Sequence, residues 1–176
     1  MSSEIPKRKR IVEWSDPAEI TAKSRGLSGL QLLEGIRDGS IQPPPFASLM
    51  GIRIVDVSEG RAIFEATPGE EHYNPADVVH GGFAMSLLDT AMGCAINSNL
   101  PAGSAYATID VHVRLVRPIT IKTGTVRCEA HVVTLTKSLA TAEGEILDGA
   151  GRVLATGTTA CAINHKVSDG PVPDSP

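Results

Sequence analysis

Two periodicities divide this chain. In "SGLQLLEGIRDGS" the apolar residues Leu30, Leu33 and Ile36 return at helical spacing, which predicts a short helix over 27–39. Ser28 can cap it, Gln31 completes a capping box, and Gly39 is a stop. "PPP" at 43–45 cannot continue a helix, and "FASLMG" after it allows one further turn. The period then drops to two. "GIRIVDVSEG" and "RAIFEATPG" alternate apolar and polar residues around Ser58-Glu59-Gly60, a hairpin signature. "YATIDVHVRLVRP" (106–118), "GTVRCEAHVVTLTKS" (124–138), "LATAEGEILDGAG" (139–151) and "RVLATGTTACAIN" (152–164) predict further strands, with turns at Lys137-Ser138 and Asp148 to Gly151. In the first of these, Ile109, Val111, Val113 and Leu115 fall on one face, and Asp110, His112 and Arg114 on the other.

Between hairpin and strands lies "VVHGGFAMSLLDTAMGCAI" (78–96). It is too long for a strand and opens on a glycine pair, so it predicts a helix over 81–97. Phe83, Leu87, Ala91 and Ala95 line one side, and Met85, Leu88 and Met92 continue round the other. A helix apolar on nearly every face is buried. The simplest arrangement that hides it is α+β: one antiparallel sheet wrapped around one long central helix. Residues 1 to about 26 read as polar and irregular. The expected organisation is an N-terminal extension (1–45) carrying the short helix, one domain (46–165) and a disordered tail (166–176). The open side of the central helix still needs cover, so a homodimer is expected.

Composition narrows the class. A chain of 176 residues holds one domain with a real core, and with 3% aromatic residues that core is aliphatic. A net charge of −4 argues against a nucleic-acid partner. The exception is the basic run "KRKR" at 7–10, read as a solvated arm. Cys94, Cys128 and Cys161 are widely spaced and odd in number, which suggests free thiols in a reducing compartment. The N-terminus lacks the apolar core of a signal peptide, and no apolar run reaches the length of a membrane span. A cytoplasmic location is the default, with no membrane partner. His72, His80, His112, His131 and His165 are not spaced as metal ligands, so no metal is expected.

The chemistry gathers around Asp89, an acid set among Leu88, Thr90, Ala91 and Met92. An unpaired carboxylate in an apolar site costs several kcal/mol on general grounds, so it is protonated, paired or used. The N–H groups of Gly81 and Gly82 at the helix start lack intrahelical acceptors, and the helix dipole adds positive potential there. Together they suit a carbonyl oxygen gaining negative charge. Eight residues separate Gly81 from Asp89, hence about 12 Å along the axis. One ester carbonyl cannot touch both within a chain. Two such helices packed antiparallel across a two-fold axis would bring Gly81 of one chain to Asp89 of the other.

"YNPADVVHGGFAMSLLDTAMGCAI" resembles the hotdog-fold acyl-CoA thioesterases of the phenylacetate-degradation type, a group that also includes one family of 4-hydroxybenzoyl-CoA thioesterases. That pattern places an Asn or Gln seven positions before the first Gly of H-G-G and an acid eight positions after it; Asn74, Gly81 and Asp89 fill these places. The likeness runs from about Gly51 to Asn164. It implies a hotdog fold and hydrolysis of a coenzyme A thioester to free acid and CoA, with no cofactor beyond the coenzyme A of the substrate. The Gly81 N–H would polarise the thioester carbonyl, and Asn74 would orient water or hold the acyl oxygen. Asp89 of the partner chain would act as general base or as nucleophile through an anhydride, and Thr108 would assist that acid. His80 and Gly82 would border the substrate, and Lys137 and Ser138 would lie in the turn near the nucleotide, with Lys137 reaching a phosphate. Homodimers pairing into tetramers are implied. Aryl-acetyl, benzoyl and short- or medium-chain aliphatic thioesters all fit this expectation. Two other classes compete with it: a hotdog dehydratase or isomerase, and a non-catalytic acyl-CoA-binding protein.

Overall fold

The computed structural model describes residues 7–165; the tail expected over 166–176 and residues 1–6 lie outside them. Three helices precede the sheet: α1 (Pro17–Ser24), α2 (Gly29–Arg37) and α3 (Pro45–Met50). The strands are β1 (Ile52–Ser58), β2 (Arg61–Ala66), β3 (Ala105–Leu115), β4 (Val126–Leu135), β5 (Leu139–Leu147) and β6 (Val153–Asn164), and helix α4 (Gly81–Asn97) stands between β2 and β3. The six strands form one antiparallel sheet in the order β1-β2-β4-β5-β6-β3. It curls around α4, giving the hotdog arrangement.

Helix α4 occupies the residues that its pattern predicts. Phe83, Leu87, Leu88, Met92 and Ile96 are buried against the sheet. Two paired glycines let the helix approach closely. Gly144 lies opposite Gly157 in the β5–β6 register. A Cβ on Gly144 would stand 3.3 Å from Met92 Cγ, and one on Gly157 3.2 Å from Met92 Cε. The unwrapped side of α4 carries a partly exposed stripe of Gly82, Ser86, Asp89, Thr90 and Cys94 around Met85, which is 47% exposed.

The capping box of α2 is present: Ser28 Oγ accepts from Gln31 N–H at 3.2 Å, and Gln31 Oε1 accepts from Ser28 N–H at 2.9 Å. Leu33 of this helix joins the common core, and Gly29 N–H donates to the Leu100 carbonyl at 2.9 Å. Helix α2 therefore docks at the C-terminal end of α4, away from Gly81. Ser28→Ala is expected to lower stability by about 1 kcal/mol, read as a fall in denaturant midpoint at unchanged m-value.

Three expectations are corrected. Residues 17–24 are helical rather than irregular: Asp16 Oδ1 caps Ala18 N–H at 2.8 Å and Pro17 opens the first turn. No residue of α1 is buried, so hydrophobic periodicity could not reveal it. The strands after α4 do not all pair in chain order: β4, β5 and β6 do, but β3 does not pair with β4. β3 lies on the far edge beside β6, because the chain crosses the sheet through α4 and returns before β4.

The third correction concerns β3 itself. Thr108 pairs with Cys161 and Asp110 with Ala160, leaving Ile109 as an extra residue in a β-bulge. By straight alternation Thr108 would share the outer face with Asp110, His112 and Arg114. The bulge reverses the parity before it, so Thr108 and Tyr106 turn towards α4 while Val111 and Val113 keep the inner face. Ile109 is left 60% exposed.

Candidate active site

Helix α4 runs against β3 with three contacts in step. Gly81 meets Leu115, where a Cβ on the glycine would stand 2.7 Å from Leu115 Cδ1. Two turns further on, Asp89 Oδ1 accepts from Thr108 Oγ1 at 3.1 Å. Gly93 then lies under Tyr106, whose hydroxyl would be 2.6 Å from an added Cβ. The pairing of Thr108 with Asp89 is the one that the resemblance implied, and it exists because of the bulge at Ile109. It occupies one carboxylate oxygen; Oδ2 has no partner among the described residues, and Asp89 lies on the partly exposed stripe of the helix.

Asp89 is half-buried and its field reaches its neighbours. Burial first, and the charge of Asp89 second, push the Cys94 thiol up to about 12. Burial also raises the Tyr106 phenol and the Cys161 thiol, with Asp89 adding to both. These thiols are protonated at neutral pH, which makes Cys94 an inert residue rather than a nucleophile.

At the other end of the stripe, loop 73–80 delivers Asn74 and the start of α4. Tyr73 bridges Val79, Asn74 N–H donates to the Val78 carbonyl at 2.8 Å, and Val79 N–H donates to the Ile119 carbonyl at 2.8 Å. Asp77 turns the chain with φ of 59°. Asn74 Oδ1 accepts from Ala76 N–H at 2.9 Å. The carboxamide oxygen is thus used internally, and the NH2 is the half with no partner among the described residues.

The glycine pair divides in function, contrary to expectation. His80 is the N-cap of α4, and its Nδ1 accepts from Gly82 N–H at 2.9 Å. A ring nitrogen that accepts is unprotonated, so the proton of neutral His80 sits on Nε2. Gly82 therefore has no free donor to offer, while Gly81 N–H has no acceptor among the described residues. Sequence reading missed this because histidine is not among the usual capping residues. Asn74, His80, Gly81, Ala84, Leu115 and Arg117 line a cavity of about 240 Å³ at this end.

Lys137 and Ser138 lie in the exposed β4–β5 turn, at the same end of the sheet as Thr108. Thr108, Cys161 and Ala140 form one register row across β3, β6 and β5, and Lys137 stands three residues beyond Ala140. The Ser138 carbonyl accepts from Ile163 N–H at 3.0 Å. His165 ties the turn to loop 101–104: Nε2 donates to the Lys137 carbonyl at 2.8 Å, and Nδ1 lies 3.0 Å from Ser104 Oγ. Within one chain the candidate residues thus fall into two groups. Asn74, His80, Gly81 and Gly82 stand at the N-terminal end of α4; Asp89 and Thr108 lie two turns along, with the Lys137 turn beyond.

Comparison with known proteins bears on this arrangement. Residues 76–155 match the thioesterase superfamily. A candidate esterase of Archaeoglobus fulgidus is 30% identical over 125 residues, spanning 71% of this chain and 79% of that protein. Among solved structures, a thioesterase of Haemophilus influenzae superposes with a TM-score of 0.68 at 18% identity, covering 78% of this chain and 93% of the other. The PaaI protein of the phenylacetic acid degradation operon of E. coli does so with a TM-score of 0.66 at 24% identity, covering 74% and 91%. These two structural likenesses speak to the fold. Among the described residues no helix is long and apolar enough to cross a membrane.

Proposed function

Because the chain belongs to the thioesterase superfamily and is a hydrolase, we propose that it cleaves coenzyme A thioesters at two sites, each divided between the subunits of a homodimer. The observation that carries this reading is the separation of a free donor, Gly81 N–H, from a free acceptor, Asp89 Oδ2, by eight residues of one helix. A carbonyl held at the first is about 12 Å from the second in the same chain. An antiparallel partner helix removes the gap.

The helix also supports where the axis lies. A two-fold that brings Gly81 to Asp89 of the partner passes at the midpoint, Met85, the exposed apolar residue of α4. Ile109 and Leu115 on the β3 edge are 60% and 54% exposed and would be covered by the same pairing.

In this site the thioester carbonyl accepts from Gly81 N–H, at the positive end of α4, and from the free NH2 of Asn74. Both donors strengthen as negative charge gathers on the oxygen, which is the condition for lowering the barrier. The use of Asn74 Oδ1 within its own loop favours holding the acyl oxygen over orienting water. Thr108 fixes the carboxylate of Asp89 through Oδ1, leaving Oδ2 to take a proton from water or to attack the carbonyl itself. Collapse of the tetrahedral adduct expels the thiolate of coenzyme A. Lys137, an exposed cation at the same end as Asp89, is suited to a phosphate of the nucleotide. His80 shapes the site as the cap of α4, and the 240 Å³ cavity beside Gly81 is one half of the proposed substrate pocket. Dimers pair further into tetramers.

Mixing tests the divided site. Asp89→Asn chains and Asn74→Ala chains, each weakly active alone, are unfolded together and allowed to reassemble. Half of the dimers then carry both chains, and one of their two sites is intact. Thiol release from an acyl-CoA panel should return to about a quarter of the wild-type value for two-fold assembly. No recovery would show that each site lies within one chain.

A further inference from the structure

The basic run at 7–10 is not a free solvated arm. Arg8 pairs with Glu70, and Arg10 Nη1 lies 3.0 Å from Glu71 Oε1. Both acids belong to a single 3-10 turn, Glu70–His72, just ahead of the loop that carries Asn74. Lys7 and Lys9, interleaved with the arginines, make no such contact among the described residues. The run therefore presents its arginines, not its overall charge, to this turn.

From the turn, a short chain of hydrogen bonds leads to the candidate site. His72 N–H donates to the Gly69 carbonyl at 3.1 Å, and Tyr73 N–H to the Glu70 carbonyl at 3.0 Å. Gly69 N–H donates to His72 Nδ1 at 2.9 Å. The His72 ring packs on Phe83 of α4 with centroids 4.8 Å apart. His80 N–H then donates to the His72 carbonyl at 2.8 Å, and His80 is the cap directly before Gly81. Arg10 also lies 3.4 Å from His72 Nε2. That contact is not a bond, since Nδ1 accepts from Gly69 and Nε2 carries the proton; the hold on Arg10 is through Glu71.

We propose that residues 7–14 form a strap whose arginines, through Glu70 and Glu71, hold the 69–80 loop and so set the positions of Asn74 and the Gly81 N–H. Arg8 and Arg10 are positioning residues that do not touch the substrate. The inference rests on the proposed role of Asn74 and Gly81. Both pairs are exposed, and an exposed pair shifts an equilibrium by at most about fivefold. A donor displaced by a fraction of an ångström from a developing oxyanion still lowers the rate out of proportion to the energy that held it.

The test compares three variants by thiol release from acyl-CoA. Arg8→Gln/Arg10→Gln should lower kcat about fivefold at low salt with KM changed by less than about twofold. Lys7→Gln/Lys9→Gln removes the same charge from the same run and should keep wild-type kcat. Reversing both partners, Arg8→Glu/Arg10→Glu with Glu70→Arg/Glu71→Arg, should restore most of the loss. Raising ionic strength from about 0.01 to 1 M shortens the screening length from about 30 to 3 Å, and should bring the wild type down to the arginine variant while leaving that variant unchanged.

Equal loss in the arginine and lysine variants, or a change in KM alone, would mean that the run merely attracts an anionic substrate and would overturn the proposal. So would a charge-reversed chain whose kcat stays as low as that of the arginine variant. A wild type that releases no thiol from any acyl-CoA defeats the reading of the site and the strap together. An active wild type with an unaffected arginine variant defeats the strap alone.

Discussion

Asp89→Asn should lower the rate of thioester hydrolysis by about 1,000-fold, within the range for loss of a general base or nucleophile, while the chain folds as before. Asn keeps the shape of the carboxylate and an oxygen to accept from Thr108. It cannot take a proton from water and cannot form an anhydride, so both forms of the proposed chemistry predict the same loss. The loss should fall on kcat, because Asp89 serves the transition state more than the bound ground state. Stability should hold or rise slightly. A half-buried carboxylate with one hydrogen bond is poorly solvated, and removing its charge relieves that penalty. The measurement is steady-state thiol release beside thermal unfolding of the same preparations. A fully active Asp89→Asn chain ends the proposal; an inactive chain whose unfolding midpoint collapses would point to a structural role.

Deleting Ile109 is the second large perturbation. The residue is exposed and makes no contribution to the core, so by burial alone its loss should be harmless. Its place in the bulge predicts otherwise. Without it, Thr108 and Tyr106 regain the parity of Asp110, His112 and Arg114 and point away from α4. Asp89 loses its hydroxyl partner, and the surface above Gly93 loses the ring that covers it. Activity should fall about 100-fold, and stability by about 2–3 kcal/mol as the Tyr106 ring leaves the core. Thr108→Val provides the comparison, since it removes the hydroxyl and keeps the bulge: activity should fall by less and stability should barely change. Near-ultraviolet circular dichroism of Tyr106 and kcat/KM separate the two variants. A deletion variant with wild-type activity would show that the bulge does not aim Thr108.

How much of this could be read in advance depends on whether each feature is local in sequence. The long helix was legible because residues 81–97 are apolar on nearly every face and begin with two glycines. The hairpin around Gly60 and the capping box of Ser28 and Gln31 were legible because each is complete within a few residues. Gly81 and Asp89 stood out as a glycine pair at a helix start and a lone acid among apolar residues, Asn74 only through the resemblance, and the two-chain site proposed from their eight-residue step rests on a partner chain. The rest had no local trace. Alternation runs through Ile109 without interruption, so the bulge depends on where β6 lies. The position of β3 at the sheet edge is likewise a long-range fact. The arginines of the basic run meet acids 62 and 61 residues away, and a charge run alone does not name its partners. The His80 cap was hidden for a different reason. The ring nitrogen can fill a role usually held by a small oxygen-bearing side chain, but nothing in the residue type announces it.

Strand β3 has one further consequence. In a lone chain it is an edge, with a row of unpaired backbone groups beside Ile109 and Leu115, and edges of this kind recruit any extended segment that drifts past. The proposed partner would seal that row with an identical strand, so pairing is also a form of self-protection. Newly made chains would then pass through a vulnerable interval between folding and meeting their partner. The hazard grows with crowding by unfolded polypeptide and shrinks as the concentration of folded copies rises.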